Sequence, residues 1–501
     1  MPFDDIRRGE AFVAETRVTT TAVASARPRG AAVPSARDGW LLVVVMAGTF
    51  MAVMDSFIVN VAVPAVRTGL GASYPQVELV VSGYVLAYGL FLVTGGRLGD
   101  IHGARRMFQA GLALFTAASL ACGLAGSAGA LIGFRVAQAL GAALFYPQVL
   151  SVLQTSFHGR WRERAFAVFG ATIGVASVVG QVLGGLLVQA DLFGLSWRSV
   201  FLLNVPLGLL VLIGAALVMP KVPGGRRRPR LDVRGTLLLT VALLALSLPL
   251  IEGGSAGWPA WCWICLAVSV PALAAFFAVE RAVAARGGDA LIDPRLLRRP
   301  AFAGGNLVAL VFFAGNAGLF FVLTLQLQSG LGYLPLAAGL TFAPLAIAFV
   351  AASLVAPKLQ AVAGHRVPAI GYLVNAAGTV ALLVTSVTAG ERATGWVLLP
   401  ALVVIGFGEG LGVSPLFGAA LDGVPPADSG AASGVLETST QIGMSLGVTV
   451  VGLVFLTALG SGTTPAAHWH AFTAALVANT VLALAALALV PRLTARSARP
   501  T

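Results

Sequence analysis

Three ionisable side chains stand where a chain folded in water would not put them. Asp55 lies about two-thirds of the way along an apolar run, MAVMDSFIVNVAVP; Arg135 is deep within LIGFRVAQALGAAL; Glu409 sits in IGFGEGLGVSP. A charge in apolar surroundings is costly unless it is paired or neutralised, so each is a functional candidate. Desolvation favours a neutral acid, and a neighbouring guanidinium favours the carboxylate. An acid held between those two influences can load a proton and release it when water access changes sides. Arg135 is the only basic residue deep in an apolar run, and pairing it with Asp55 would compensate both charges. Arg135, Gln138, Ala142 and Tyr146 share one helical stripe, which must face protein or a water-filled cavity. Glu409-Gly-Leu-Gly echoes Gln138-Ala-Leu-Gly, which would aim Glu409 at a central cavity too. Asp55, Arg135 and Glu409 are the proton-coupling candidates.

Other residues could shape a binding space. Tyr84, Tyr88 and Phe91 are spaced i, i+4, i+7. An aromatic wall beside acids suits a lipophilic cation, although the same spacing also serves plain helix packing. Asn60, Asn316, Gln326 and Gln328 are polar in apolar surroundings and either line a pore or bond between helices. The candidate cavity residues are Tyr84, Tyr88, Phe91, Gln138, Tyr146, Asn316 and Gln326. Glu437 and Gln441 share a face, but Glu437 is only about two turns from the cytoplasmic side and reads as an interfacial or entrance residue. Cys122, Cys262 and Cys265 lie in apolar runs without further ligands at zinc spacing, so no metal or cofactor is expected. A GxxxxGK[ST] string for nucleotide-driven transport does not occur.

The elements that must hold these groups follow from composition. The chain is 57% hydrophobic and 10% charged, against about 25% charged for an average soluble domain. Its mean hydropathy is +0.89. Such a chain cannot cover a water-facing surface, and in lipid only helices and closed barrels satisfy the backbone. Runs of about 20 residues mean helices. Fourteen are predicted: 40–63, 77–96, 107–127, 130–152, 165–188, 198–219, 235–252, 260–280, 302–325, 335–357, 367–388, 396–418, 432–458 and 469–490. Pro249 and Pro271 interrupt the seventh and eighth. Of the 32 Lys and Arg residues, all but Arg67, Arg135, Arg198 and Arg392 fall on one side of the membrane. That side is cytoplasmic and holds both termini. The net charge of +12 is thus spread over loops rather than gathered for nucleic acid.

The chain also repeats. GGRLGDIHGARRMF follows the second run and APKLQAVAGHRVPAI follows the tenth. Leu98, Gly103 and Arg105 superpose on Leu359, Gly364 and Arg366 at one offset, which also carries Asp55 onto Asn316. The expected organisation is a disordered cytoplasmic tail (1–38), a six-helix half (39–219) and a linker with two extra helices (220–300). A second six-helix half (301–491) and a short tail (492–501) follow. Parallel repeats of this kind are a transporter device, the halves rocking about a site at midplane.

Five segments in order carry a resemblance: MAVMDSFIVNVAVP, GRLGDIHGARR, LIGFRVAQALGAAL, GATIGVASVVGQVLGG and WRSVFLLNVPLG. Together they resemble the major facilitator superfamily, and within it the fourteen-span drug–proton antiporters (QacA/EmrB-like exporters). The resemblance implies an all-α membrane protein of two six-helix halves plus two inserted helices. It implies export of hydrophobic, cationic drugs or secondary metabolites driven by protons, with Asp55 and Arg135 in the coupling motifs. Gly96, Asp100, Gly103, Arg105 and Arg106 match the cytoplasmic latch, in which Asp–Arg charges bridge helices in one rocking state. Gly170, Gly174, Gly180, Gly184 and Gly185 match the antiporter glycine motif, with Gln181 where that motif has proline. The expected partners are protons, small hydrophobic or cationic substrates and the bilayer. The expected form is a multi-pass monomer of the inner membrane, neither an enzyme nor a nucleic-acid binder. A nutrient importer is the rival that Gln181 favours and the glycines oppose. A receptor or scaffold has no need of three buried charges.

Overall fold

The computed structural model describes residues 36–220, 232–288, 290–292, 294–390, 394–421, 424 and 429–494. The tails expected at 1–38 and 492–501 therefore lie largely outside the described residues, as does 221–231 of the linker. The described residues are almost wholly helical, with no strand.

The first half consists of α1 (Ala36–Leu70), α2 (Tyr74–His102), α3 (Ala104–Gly123), α4 (Ala128–Ser156), α5 (Gly159–Ala190), the short α6 (Arg198–Leu202) and α7 (Asn204–Val218). The inserted pair is α8 (Val233–Ala256) and α9 (Ala260–Ala285), followed by one turn, α10 (Pro294–Leu297). The second half is α11 (Pro300–Leu325), α12 (Pro335–Ala363), α13 (Val367–Ala389), α14 (Gly395–Leu421), α15 (Ser429–Leu459) and α16 (Pro465–Thr494). Among the described residues 13 helices are long and apolar enough to cross a membrane. The fourteenth predicted span, α3, is the exception, because Arg105, Arg106 and Gln109 fill its first turns. It nonetheless packs lengthwise against α4 and α7.

Local sequence explains the breaks. Ser73 and Gln76 cap the start of α2 reciprocally, and Gly103 at φ 93° turns the chain sharply into α3. The sixth predicted span divides at Leu203, since Pro206 gives Leu202 no amide hydrogen and crowds its carbonyl. Pro249 and Pro271, expected to interrupt their spans, lie inside continuous helices α8 and α9. Leu210, Ile213 and Leu217 on α7 and Trp263, Ile264 and Val270 on α9 stay exposed. An apolar surface that large faces lipid, not water.

The two halves repeat one packing plan. The pairs α1–α5, α2–α4, α3–α4 and α3–α7 recur as α11–α15, α12–α14, α13–α14 and α13–α16. The halves meet along two seams, α2 against α15 and α5 against α12, and α8 lies over the first of these.

Candidate functional site

Asp55 of α1 is fully buried, and α4 and α7 supply its partners. Its Oδ2 is 2.5 Å from Arg135 Nη1. Its Oδ1 accepts from Gln138 Nε2 at 2.9 Å and from Asn204 Nδ2 at 2.8 Å. Ser119 Oγ accepts from the same two amides at 3.1 Å each and donates to the Phe201 carbonyl at 2.9 Å. Arg135 donates to Gln138 Oε1 at 2.8 Å and to the Val80 carbonyl at 3.2 Å. Its guanidinium lies 3.8 Å from the centroid of the Tyr84 ring. The carboxylate and the guanidinium thus compensate each other, and amide donors from Gln138 and Asn204 complete the carboxylate's shell.

This arrangement corrects two expectations. Tyr84 and Gln138 do not line a cavity; both are fully buried within the first half. Arg135 needs a flat π-face against its guanidinium, and Asp55 needs an amide donor. Ser119 and Asn204 belong to the cluster although the sequence reading passed over them. Asn204, a lone amide in FLLNVPLG, was the available signal.

The second half builds a parallel cluster. Asn316 Nδ2 on α11 donates to Glu409 Oε1 on α14 at 2.6 Å. Asn375 and Thr379 of α13 and Asn479 of α16 join them around a pocket with room for about one water molecule. All of these side chains belong to the second half, so Glu409 faces the interior of that half rather than the seams, contrary to expectation. The helix face that carries Glu409 is turned toward α11, α13 and α16.

The aromatic residues run along the seam side of the first half. Tyr84 stacks on Tyr88 at 6.2 Å, Tyr88 meets Tyr146 edge-on at 5.9 Å, and Tyr146 reaches Phe169 of α5 at 6.1 Å. Phe91 is half-buried beside them. Across the seam, the Glu437 carboxyl on α15 is near enough to act electrostatically on both Tyr88 and Tyr146. Gln441 donates to Glu437 Oε1 at 2.9 Å, while Thr438 and Ser445 bond the Gly89 and Ser82 carbonyls of α2 at 3.1 Å each. Glu437, read from sequence as an entrance residue, lies on α15 at the seam with α2, where Gln441 is its hydrogen-bond partner. Gln326 is fully buried at a π-helical turn closing α11, with neither amide atom hydrogen-bonded.

The glycines of α5 serve close approach. A Cβ on Gly180 would stand 2.9 Å from the Met54 carbonyl oxygen and one on Gly184 2.8 Å from that of Ile58. One on Gly185 would stand 2.4 Å from the Pro335 carbonyl oxygen, and one on Gly174 3.0 Å from Val350. So α1 nests on one face of α5 and α12 on the other; Gly170 meets nothing within 4 Å. Gln181 is buried at the α12 seam, and α5 runs unbroken through it. At the latch, Gly96 lies beside Pro147. Arg105 donates to the Met219 and Ala216 carbonyls at 2.9 and 2.7 Å, tying α3 to the end of α7. Arg106 is exposed, and the Asp100 side chain is outside the described residues.

The family model of the Major Facilitator Superfamily matches residues 45–448. The chain belongs to the major facilitator superfamily. Within the superfamily it is 41% identical to the probable actinorhodin transporter of Streptomyces coelicolor, over 86% of this chain and 75% of that protein. It is 38% identical to the cephamycin export protein CmcT of Amycolatopsis lactamdurans, over 91% and 92% of the two chains. The puromycin resistance protein pur8 of Streptomyces alboniger is 35% identical, over 91% of each. Among solved structures, a bacterial homologue of the lysosomal transporter Spinster superposes with a TM-score of 0.64 at 18% identity, covering 91% of this chain and 97% of that one. At that identity the likeness is one of major facilitator fold. This superfamily member is therefore a multi-pass membrane transporter.

Proposed function

We propose that this chain exports hydrophobic, antibiotic-type molecules across the cytoplasmic membrane, driven by protons moving inward through the Asp55–Arg135 cluster. The relatives named for export of, or resistance to, actinorhodin, cephamycin and puromycin support the substrate class. The single observation that carries the coupling is the ion pair sealed inside the first half, 2.5 Å long. Ionised Asp55 holds Arg135; protonated Asp55 no longer compensates it, and the pair loosens. Binding a proton therefore weights one packing of α1 against α4 over another, which is how a local charge change biases a rocking equilibrium. A proton crossing 100 mV contributes about 2.3 kcal/mol, equivalent to a roughly 50-fold substrate gradient.

The substrate wall in this reading is Tyr88, Phe91, Tyr146 and Phe169, with Glu437 opposite. Aromatic faces and an acid suit a lipophilic cation. Gly96, Asp100, Gly103, Arg105 and Arg106 form the latch on the cytoplasmic side, where both termini lie by the distribution of basic residues. Uptake of a fluorescent lipophilic amine into everted vesicles tests the proposal. Accumulation that an uncoupler collapses is expected; accumulation indifferent to the uncoupler contradicts proton drive.

A further inference from the structure

The second half repeats the Asp55 cluster with one member missing. Asn316, Thr379, Glu409 and Asn479 come from α11, α13, α14 and α16, which pack as α1, α3, α4 and α7 do. The register that sets Glu409 on Gln138 sets Gly406 on Arg135. A Cβ at Gly406 would lie 2.0 Å from the Leu345 carbonyl oxygen, so α12 occupies the space where α4 carries its arginine. Glu409 is 5% exposed, accepts from Asn316 and has no ion-pair partner among the described residues.

A second observation comes from the opposite wall. Asn479 is 3% exposed, lines the same pocket, and its Oδ1 has no hydrogen-bond partner. A buried carboxylate and an orphaned amide oxygen therefore share a space the size of about one water. An orphaned buried acceptor is costly, and so is an uncompensated acid. Both costs vanish if one small cation sits between them. The space is far too small for an organic cation. Carboxylate and amide oxygens are the donors that hard cations take.

We propose that Glu409, Asn316, Asn375 and Asn479 form a binding site for one small cation, a proton delivered by hydronium or a sodium ion, distinct from the Asp55–Arg135 pair. Tyr372 of α13 is the other titratable group that Glu409 acts on; α11 and α16 turn only amide and apolar side chains to the pocket. In the proton case, hydronium transfers its proton to a Glu409 oxygen, water leaves, and the new hydroxyl supplies the donor that Asn479 lacks. In the sodium case, the ion is held between the Glu409 and Asn479 oxygens. The site goes beyond the export reading, and its test measures binding rather than transport, so either can fail without the other.

The experiment is thermal unfolding of the purified full-length protein in detergent, over about pH 5.5 to 8.5, with choline chloride replaced stepwise by sodium chloride at fixed ionic strength. A ligand that binds only the folded state raises the midpoint saturably. Sodium occupancy predicts a midpoint that climbs with sodium and not with choline. Proton occupancy predicts one that climbs as pH falls, without a sodium effect. In either case Glu409→Gln removes the sodium dependence, or reduces the pH dependence to what the Asp55–Arg135 pair contributes. Asn479→Asp adds a carboxylate, so half-effect moves to lower sodium or to higher pH; this variant decides the matter if Glu409→Gln does not fold. Identical sodium and pH profiles in wild type and Glu409→Gln, or an unmoved half-effect in Asn479→Asp, overturn the site.

Discussion

Asn316 donates its amide to Glu409 at 2.6 Å on the helices that repeat those where Gln138 donates to Asp55 at 2.9 Å. The contact is the same and the roles are exchanged: acid on the first helix and amide on the fourth in one half, amide and acid in the other. Only the first half adds an arginine. Two buried acids thus have different electrostatic surroundings, one compensated by a guanidinium and one held by an amide. The asymmetry assigns charge pairing to the first half.

Arg135→Ala should be more harmful to stability than Arg135→Ala combined with Asp55→Asn. Removing one partner of a buried pair costs about 3–5 kcal/mol because the other charge is stranded. A double-mutant cycle on thermal unfolding should show coupling of about 1–3 kcal/mol. Additive losses would mean that the 2.5 Å contact carries no interaction energy.

Glu437→Gln should weaken transport of permanently charged lipophilic cations several-fold and leave uncharged lipophilic drugs nearly unaffected. The motive is the electrostatic reach of Glu437 across the seam to Tyr88 and Tyr146. Paired transport assays with one quaternary dye and one neutral drug check this. Equal loss for both classes would assign Glu437 to helix packing across the seam.

Gly184→Val should destabilise the protein by about 1–3 kcal/mol, the usual cost of overpacking. Even its first carbon would stand 2.8 Å from the Ile58 carbonyl oxygen, so α1 must retreat from α5. Gly170→Val, whose Cβ meets nothing within 4 Å, is the control and should cost little. Similar unfolding midpoints for the two variants would remove the close-approach role of the motif.

Much of this was legible in the chain. Hydropathy located the helices, and the isolated charges pointed to Asp55, Arg135 and Glu409, because lipid makes each costly. The repeat was legible from Leu98, Gly103 and Arg105. The partners were not. Ser119 looks ordinary in its own run and matters only because α3 brings it to Gln138 and Asn204, the amides that bond Asp55. Tyr84 belongs to a perfect aromatic stripe, yet helix rotation turns it onto Arg135 while Tyr88 faces the seam. The polar start of α3 lowers its hydropathy, yet the apolar run 107–127 still marked the span. Periodicity gives the face a residue occupies, and only packing gives what that face meets.

Proton-gradient-driven efflux from proteoliposomes, measured for wild type and Asp55→Asn at matched folding, tests the central claim most directly. Asn keeps the shape of Asp and an oxygen that can accept from Gln138 and Asn204, but it cannot titrate. The account predicts that the variant reconstitutes normally and loses uphill efflux, retaining at most downhill equilibration. Wild-type uphill rates in Asp55→Asn would contradict it.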